Sequence, residues 1–286
     1  MHNVAFYEVG PRDGLQSLAV LPAAVKIEYI NRLSQTGLKN IEVVSFVSPK
    51  FIPQMADSVS VVNGITRIGG IVYSALVPNL EYYGRAKESG LSEIAVFLSA
   101  NETHNQRNLG ASIAATKARL EPLINQAIED GVRVRGYVST FFGDHKPQDT
   151  PIIGGIEICR WLIGRGVYQV VPSDTYGVAS PQDIREKLRL TIQEEIPPEK
   201  LALHLHTTAK DMSSKVDAAL ELGVNTLDSS AGGIGGCPAD RQADKLIANV
   251  DTYQLARYLE SQGIPTGLNL DKVEEAGIFI NQSLGR

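Results

Sequence analysis

Two cysteines in 286 residues, Cys159 and Cys237, rule out a disulfide framework. No run of clustered lysine and arginine is present to neutralise phosphates, and the formal net charge is −5, so no nucleic-acid partner is expected. No apolar run approaches the roughly 20 residues that span a bilayer, and nothing at Met1-His2-Asn3 reads as a secretory leader. No membrane partner is therefore expected. The expected compartment is a reducing cytoplasm, or an organellar matrix after loss of a transit segment. No glycine-rich dinucleotide fingerprint follows the first apolar run. No linker or low-complexity segment breaks the chain, so residues 1–286 are expected to form one domain. What remains is an ordinary globular composition, 43% hydrophobic and 21% charged, able to bury a large core.

Short apolar or β-branched runs alternate with helical patterns along the chain. The eight runs are Val4–Tyr7, Ile41–Val44, Ile71–Leu76, Ile94–Leu98, Val132–Val138, Tyr168–Val171, Leu201–Leu205 and Val224–Asp228. Near-continuous hydrophobicity marks strands covered on both faces. Between them, Ile27, Ile30 and Leu33 share one helical face. The segment Ser112–Asp130 repeats apolar residues at three- and four-residue steps, and Pro181–Glu195 opens with proline in its first turn. Glycine recurs just ahead of strands, at Gly37, Gly90, Gly131, Gly166 and Gly223, as helix-to-strand returns require. Eight strand–helix units in this length predict a (β/α)8 TIM barrel, with an extra C-terminal helix near Leu270–Leu284.

A barrel of this kind carries its chemistry at the C-terminal ends of its strands. The first strand runs into Glu8 and Arg12-Asp13. The second carries Glu42 and ends at Ser45. The fifth carries Arg135, and the sixth ends in Ser173-Asp174-Thr175. The seventh carries His204-Leu-His206, whose imidazoles share one side because residues two apart on a strand do. Two stacked histidines filling the barrel are the plain alternative to a metal pair. No cysteine set or third nearby histidine completes a zinc site. Adding Asp13 and an amide oxygen gives a mixed nitrogen–oxygen site suited to Mg²⁺ or Mn²⁺. Cys237 closes a loop rich in glycine, Gly232-Gly-Ile-Gly-Gly-Cys237, where a small structural residue or a proton donor or acceptor would both fit.

The stretches EVGPRDGLQ (8–16), IEVVSFVSPKFIPQMAD (41–57), SDTYGVASP (173–181), HLH (204–206), VNTLDSSAGGIGGCP (224–238) and GLNLDKVEEAGIFI (267–280) together resemble the 3-hydroxy-3-methylglutaryl-CoA lyase family of metal-dependent barrel lyases. The resemblance runs from end to end of the chain. It implies a divalent metal, Mg²⁺ or Mn²⁺, held by Asp13, His204, His206 and Asn249. It implies a catalytic set of Arg12, Glu42, Asp174 and Cys237. Substrate contacts are expected from Gln16, Ser45 and Arg135, with Arg107 and Asn108 on the coenzyme A side. The implied reaction is retro-Claisen cleavage of an acyl-CoA, and a homodimer or higher homo-oligomer is expected.

Three stretches depart from the family pattern. After His206 the chain reads Thr207-Thr-Ala-Lys210 where the family has Asp-Thr-Tyr-Gly. The path from Cys237 to Asn249 is longer, and the segment 142–150 differs. These changes would alter the substrate rather than the reaction. A lyase for a related 3-hydroxyacyl thioester, a Claisen-type synthase and a non-catalytic barrel are the competing readings.

Overall fold

The structure, a computed structural model, describes residues 4–144, 152–236 and 247–286. Eight parallel strands close into a barrel: β1 (Ala5–Glu8), β2 (Asn40–Ser45), β3 (Val72–Leu76), β4 (Glu93–Ser99), β5 (Arg133–Ser139), β6 (Gln169–Asp174), β7 (Ala202–Thr207) and β8 (Thr226–Ser229). Each pairs with its neighbours in sequence. β1 returns to β8, and β6 pairs with β7. The TIM barrel expected from the alternation is therefore the observed fold, and all eight apolar runs coincide with strands.

Helices alternate with the strands around the outside: α1 (Ala23–Leu33), α2 (Ser58–Gly64), α3 (Leu80–Glu88), α4 (Glu102–Leu109), α5 (Ile113–Glu129), α6 (Ile152–Gly164), α7 (Pro181–Gln193) and α8 (Ala209–Leu220). α1 buries Tyr29, Ile30 and Leu33 completely, each side chain contributing about 1.5–3 kcal/mol relative to exposure. α7 starts where a capping box allows it. Ser180 accepts the Asp183 amide, and the Asp183 carboxylate accepts the Ser180 amide. After β8 come α9 (Thr252–Ser261) and α10 (Leu270–Ser283), and α10 packs against α1 and α9. It is the expected extra C-terminal helix.

Two cores result. The larger fills the space between strands and helices. The smaller lies inside the barrel and includes Leu76, Ala95, Tyr137, Val171 and Ala202. The inner space also holds charge: Arg135, Asp228 and Glu93 are all buried within it. One element was not foreseen. β9 (Ala248–Asn249) runs antiparallel to β7, with His206 opposite Asn249 and Thr207 opposite Ala248. The ladder between β7 and β8 covers only Ala202 and Leu203, so β9 takes the place of β8 beside the end of β7.

Candidate active site

The chain leaves β1 through a single π-helical turn, Gly10–Gly14. Pro11 suits its start because it has no amide hydrogen to satisfy. The amides of Arg12, Asp13 and Gly14 all converge on the Val9 carbonyl, at 3.2, 2.7 and 3.2 Å. Only glycine fits at the two ends. A Cβ on Gly10 would stand 2.5 Å from Glu8 Oε1, and one on Gly14 would stand 2.7 Å from Ile234 Cγ1. Glu8 anchors the turn from below, accepting the Gly10 amide at 2.8 Å, the Ala231 amide at 3.1 Å and the Thr252 hydroxyl at 2.7 Å. Burial raises its carboxyl to about 7, against the pull of those hydrogen bonds. The tight turn at the end of β1 thus serves to hold Arg12 and Asp13 on the barrel rim, where π-turns are frequently functional.

Asp13, His204 and His206 come together there, with one ligand-type atom of each within 4.8 Å of the others. The two histidine Nε2 atoms are 3.2 Å apart, and Asp13 Oδ2 lies 3.6 Å from that of His206 and 4.0 Å from that of His204. His206 Nδ1 is 2.8 Å from the Thr175 carbonyl oxygen. That oxygen can only accept, so Nδ1 carries the proton and Nε2 keeps its lone pair. Burial would raise the Asp13 carboxyl, but Arg12 and the two histidines hold it far below the ordinary range. An anionic oxygen and imidazole nitrogens converging in this way fit a divalent cation. Asn249 stands beside them on β9, its amide donating to Asp13 Oδ2 at 2.9 Å and to the Ile234 carbonyl at 3.1 Å.

Arg12 is the adjoining charge. Its Nη1 donates to Asp13 Oδ1 at 2.7 Å and its Nε to Glu42 Oε1. Those bonds leave both hydrogens of Nη2 unclaimed among the described residues. Burial opposes the guanidinium charge, and Glu42 and Asp13 more than restore it. Burial likewise pushes the Glu42 carboxyl up, with Arg12 and Arg135 pulling the other way. Tyr137 donates to Glu42 Oε2 at 3.2 Å, and the Arg12 guanidinium lies 5.1 Å from the centre of its ring.

Arg12, Asp13, His204, His206 and Tyr137 line a cavity of about 440 Å³ at the barrel mouth, the size of a small-ligand site. Gln16, Arg107 and Asn108 also line it. Gln16 donates to Asp13 Oδ1 at 3.0 Å. Three expectations are corrected in placement. Arg135 does not line the cavity: it is fully buried below the floor, paired with Asp228 at 2.6 Å. Ser45 is fully buried and its hydroxyl is directed to the Leu76 carbonyl, 3.5 Å away. Asp174 is fully buried too. It accepts the Val178 amide at 3.0 Å and the Lys215 ammonium at 3.1 Å, so it secures the turn after β6. Glu42 does not line the cavity and meets it through Arg12 and Tyr137. Cys237, expected on the same rim, lies outside the described residues.

The cavity has walls that the sequence reading missed. Tyr137, His104, Tyr176 and Phe51 are among them. Tyr137 was findable, because it lies two residues beyond Arg135 on the same face of β5. His104 and Tyr176 meet edge to face with centroids 5.8 Å apart, a contact between α4 and the turn after β6 that no local pattern announces. The departing segment at 207–210 serves the local structure, since Thr208 caps α8 by accepting the Asp211 amide at 3.3 Å.

The family model described as HMGL-like matches residues 3–280. The cytoplasmic 3-hydroxy-3-methylglutaryl-CoA lyase of Rattus norvegicus is 41% identical over 290 residues, covering 99% of this chain and 82% of the relative. The crystal structure of the HMG-CoA lyase of Brucella melitensis superposes with a TM-score of 0.94 at 38% identity, with 100% of each chain covered. An HMG-CoA lyase of Acinetobacter baumannii, solved in complex with coenzyme A and 3-methylmalate, superposes with a TM-score of 0.92 at 34% identity, covering 99% of this chain and 92% of that one.

Proposed function

We propose that this chain, which belongs to the HMGL-like family, is a carbon–carbon lyase that cleaves 3-hydroxy-3-methylglutaryl-CoA to acetyl-CoA and acetoacetate. One observation carries the reading: Asp13, His204 and His206 converge on one point of the cavity wall with the Arg12 guanidinium beside them. Asp13, His204 and His206 would hold a divalent cation, Mg²⁺ or Mn²⁺, with Asn249 as the fourth candidate ligand. Such a cation would acidify the substrate's tertiary hydroxyl and fix the substrate by its oxygens.

The protein groups supply the rest. Cleavage turns the hydroxyl carbon into a ketone and leaves the electron pair on the acetyl thioester as an enolate. Arg12 is assigned to that developing oxyanion. Its Nε and Nη1 are tied to Glu42 and Asp13, so the Nη2 donors are held in place before the charge appears. A preorganised donor of this kind is worth about 2.7–4 kcal/mol. Glu42 acts by holding Arg12, and Tyr137 acts by holding Glu42. Cys237 is assigned to proton transfer, either protonating the enolate carbon or relaying the hydroxyl proton. Gln16, Arg107 and Asn108 on the cavity wall are assigned to the acyl-CoA.

Purified protein with Mg²⁺ or Mn²⁺ should release acetyl-CoA and acetoacetate from 3-hydroxy-3-methylglutaryl-CoA, and EDTA should stop the release. A folded, metal-loaded protein that leaves this substrate intact would move the assignment to a related 3-hydroxyacyl thioester. Condensation of acetyl-CoA with no cleavage would identify a synthase instead.

A further inference from the structure

The reaction above gives no part to the charges beneath the cavity floor. Arg135 on β5 and Asp228 on β8 face each other inside the barrel, both with side chains 0% exposed. A buried ion pair seldom adds stability over apolar residues of the same volume, so its presence asks for another reason. The hydrogen bonds supply one. Asp228 Oδ1 accepts Arg135 Nη2 at 2.6 Å. Asp228 Oδ2 accepts Arg135 Nη1 at 3.2 Å and lies 3.1 Å from His204 Nδ1.

A guanidinium has donors and no acceptor, so it commits both oxygens of Asp228 to accepting. The nitrogen of His204 that meets Oδ2 must then be the one that bears hydrogen. Its other nitrogen, Nε2, points the opposite way, toward His206 and Asp13. Arg135 is itself immobilised. Its Nε donates to Gln169 at 3.1 Å, its Nη1 donates to Tyr137 at 2.8 Å, and its guanidinium lies 3.8 Å from the centre of the Tyr7 ring. The whole assembly fixes the plane of one imidazole. His206 needs no such device, because a backbone carbonyl holds its Nδ1.

We infer that Asp228, braced by Arg135, is a positioning residue that sets the tautomer and ring orientation of His204 so that Nε2 presents its lone pair to a divalent cation. The inference deepens the metal-site reading and rests on it. Partners of this kind typically change metal affinity by about 10–100-fold when removed.

The test uses the full chain labelled with ¹⁵N-histidine. Long-range ¹H–¹⁵N correlation on the metal-free wild-type protein should show His204 Nδ1 protonated; an unprotonated Nδ1 there would overturn the proposal with no variant needed. Calorimetric titration with Mn²⁺ follows, on the wild-type protein and on Asp228→Asn. An asparagine keeps the volume and can turn its amide hydrogens toward Nδ1. The variant should bind Mn²⁺ about 10–100-fold more weakly and lose the Nδ1 proton signal. Wild-type affinity with Nδ1 still protonated in the variant would sink the positioning role while leaving the metal site intact. Failure of the wild-type protein itself to bind Mn²⁺ would overturn the metal-site reading, and the positioning role with it.

Discussion

Arg12 illustrates how much the setting of one side chain decides. Its charge is kept by Glu42 and Asp13 although the residue is only 5% exposed. Arg12→Gln should lower kcat by roughly 10²–10³ while Mn²⁺ binding persists, and steady-state kinetics beside a metal titration would check both halves. Glu8 makes a different prediction. Its carboxyl stands at about 7 in the folded chain against 4.5 for the unfolded reference. Between those values the folded state holds the extra proton, so Glu8 lends stability below the lower value and withdraws it as pH rises through the higher one. The stability of the wild-type chain relative to Glu8→Gln should therefore be greater at pH 5 than at pH 8, read from denaturant midpoints. At this scale the sequence disclosed Arg12, Asp13, His204 and His206, because each sits in a short motif at a strand end. It misled at Arg135. Alternation tells which residues face the barrel interior, but not how deep they lie along the strand. Arg135 and Tyr137 share a side of β5, yet only the upper of the two reaches the cavity.

Among the elements, the strands were legible and the returning segment was not. Hydrophobic runs announce β1 to β8, since strands buried on both faces have almost no polar positions. β9 spans two residues, Ala248–Asn249, and owes its existence to a gap beside the end of β7. Nothing local signals such a gap. Its seating depends on glycines that precede it. Gly235 has φ +107°, and a Cβ there would stand 2.4 Å from Asn249 Nδ2 and 3.0 Å from Gly14 Cα. Gly235→Ala should cost roughly 1–3 kcal/mol through backbone strain alone. It should also displace Asn249 from Asp13. A lowered melting temperature together with weakened Mn²⁺ binding is the expected pair of results. Weakened stability with unchanged metal affinity would remove Asn249 from the ligand set.

For the whole molecule, the candidate ligands come from opposite ends of the sequence. Asp13 follows the first strand, while His204, His206 and Asn249 belong to β7 and β9. A cation held between them ties the beginning of the chain to its end. Mn²⁺ at about 100 times its dissociation constant should stabilise the fold by about 2.7 kcal/mol. A thermal-shift series should show a rise in Tm that EDTA reverses and that Asp13→Asn abolishes. The barrel was readable from its strand–helix rhythm, whereas the polar filling of its interior, Arg135 with Asp228 and Tyr7 with Glu93, arises only when strands distant in sequence close on one another. The junction at Gly236 and Ile247 has a consequence of its own. A Cβ on Gly236 would stand 2.7 Å from the Ile247 carbonyl oxygen, so the chain that departs at 236 is back beside its point of departure at 247. A segment inserted between two touching anchors lengthens at a cost that grows only with the logarithm of its length, about 0.6 kcal/mol per doubling. Adding a few residues between these two anchors should therefore shift the denaturant midpoint of the barrel only slightly. The closure of the chain and the chemistry thus share one junction, since Gly236 also lines the cavity.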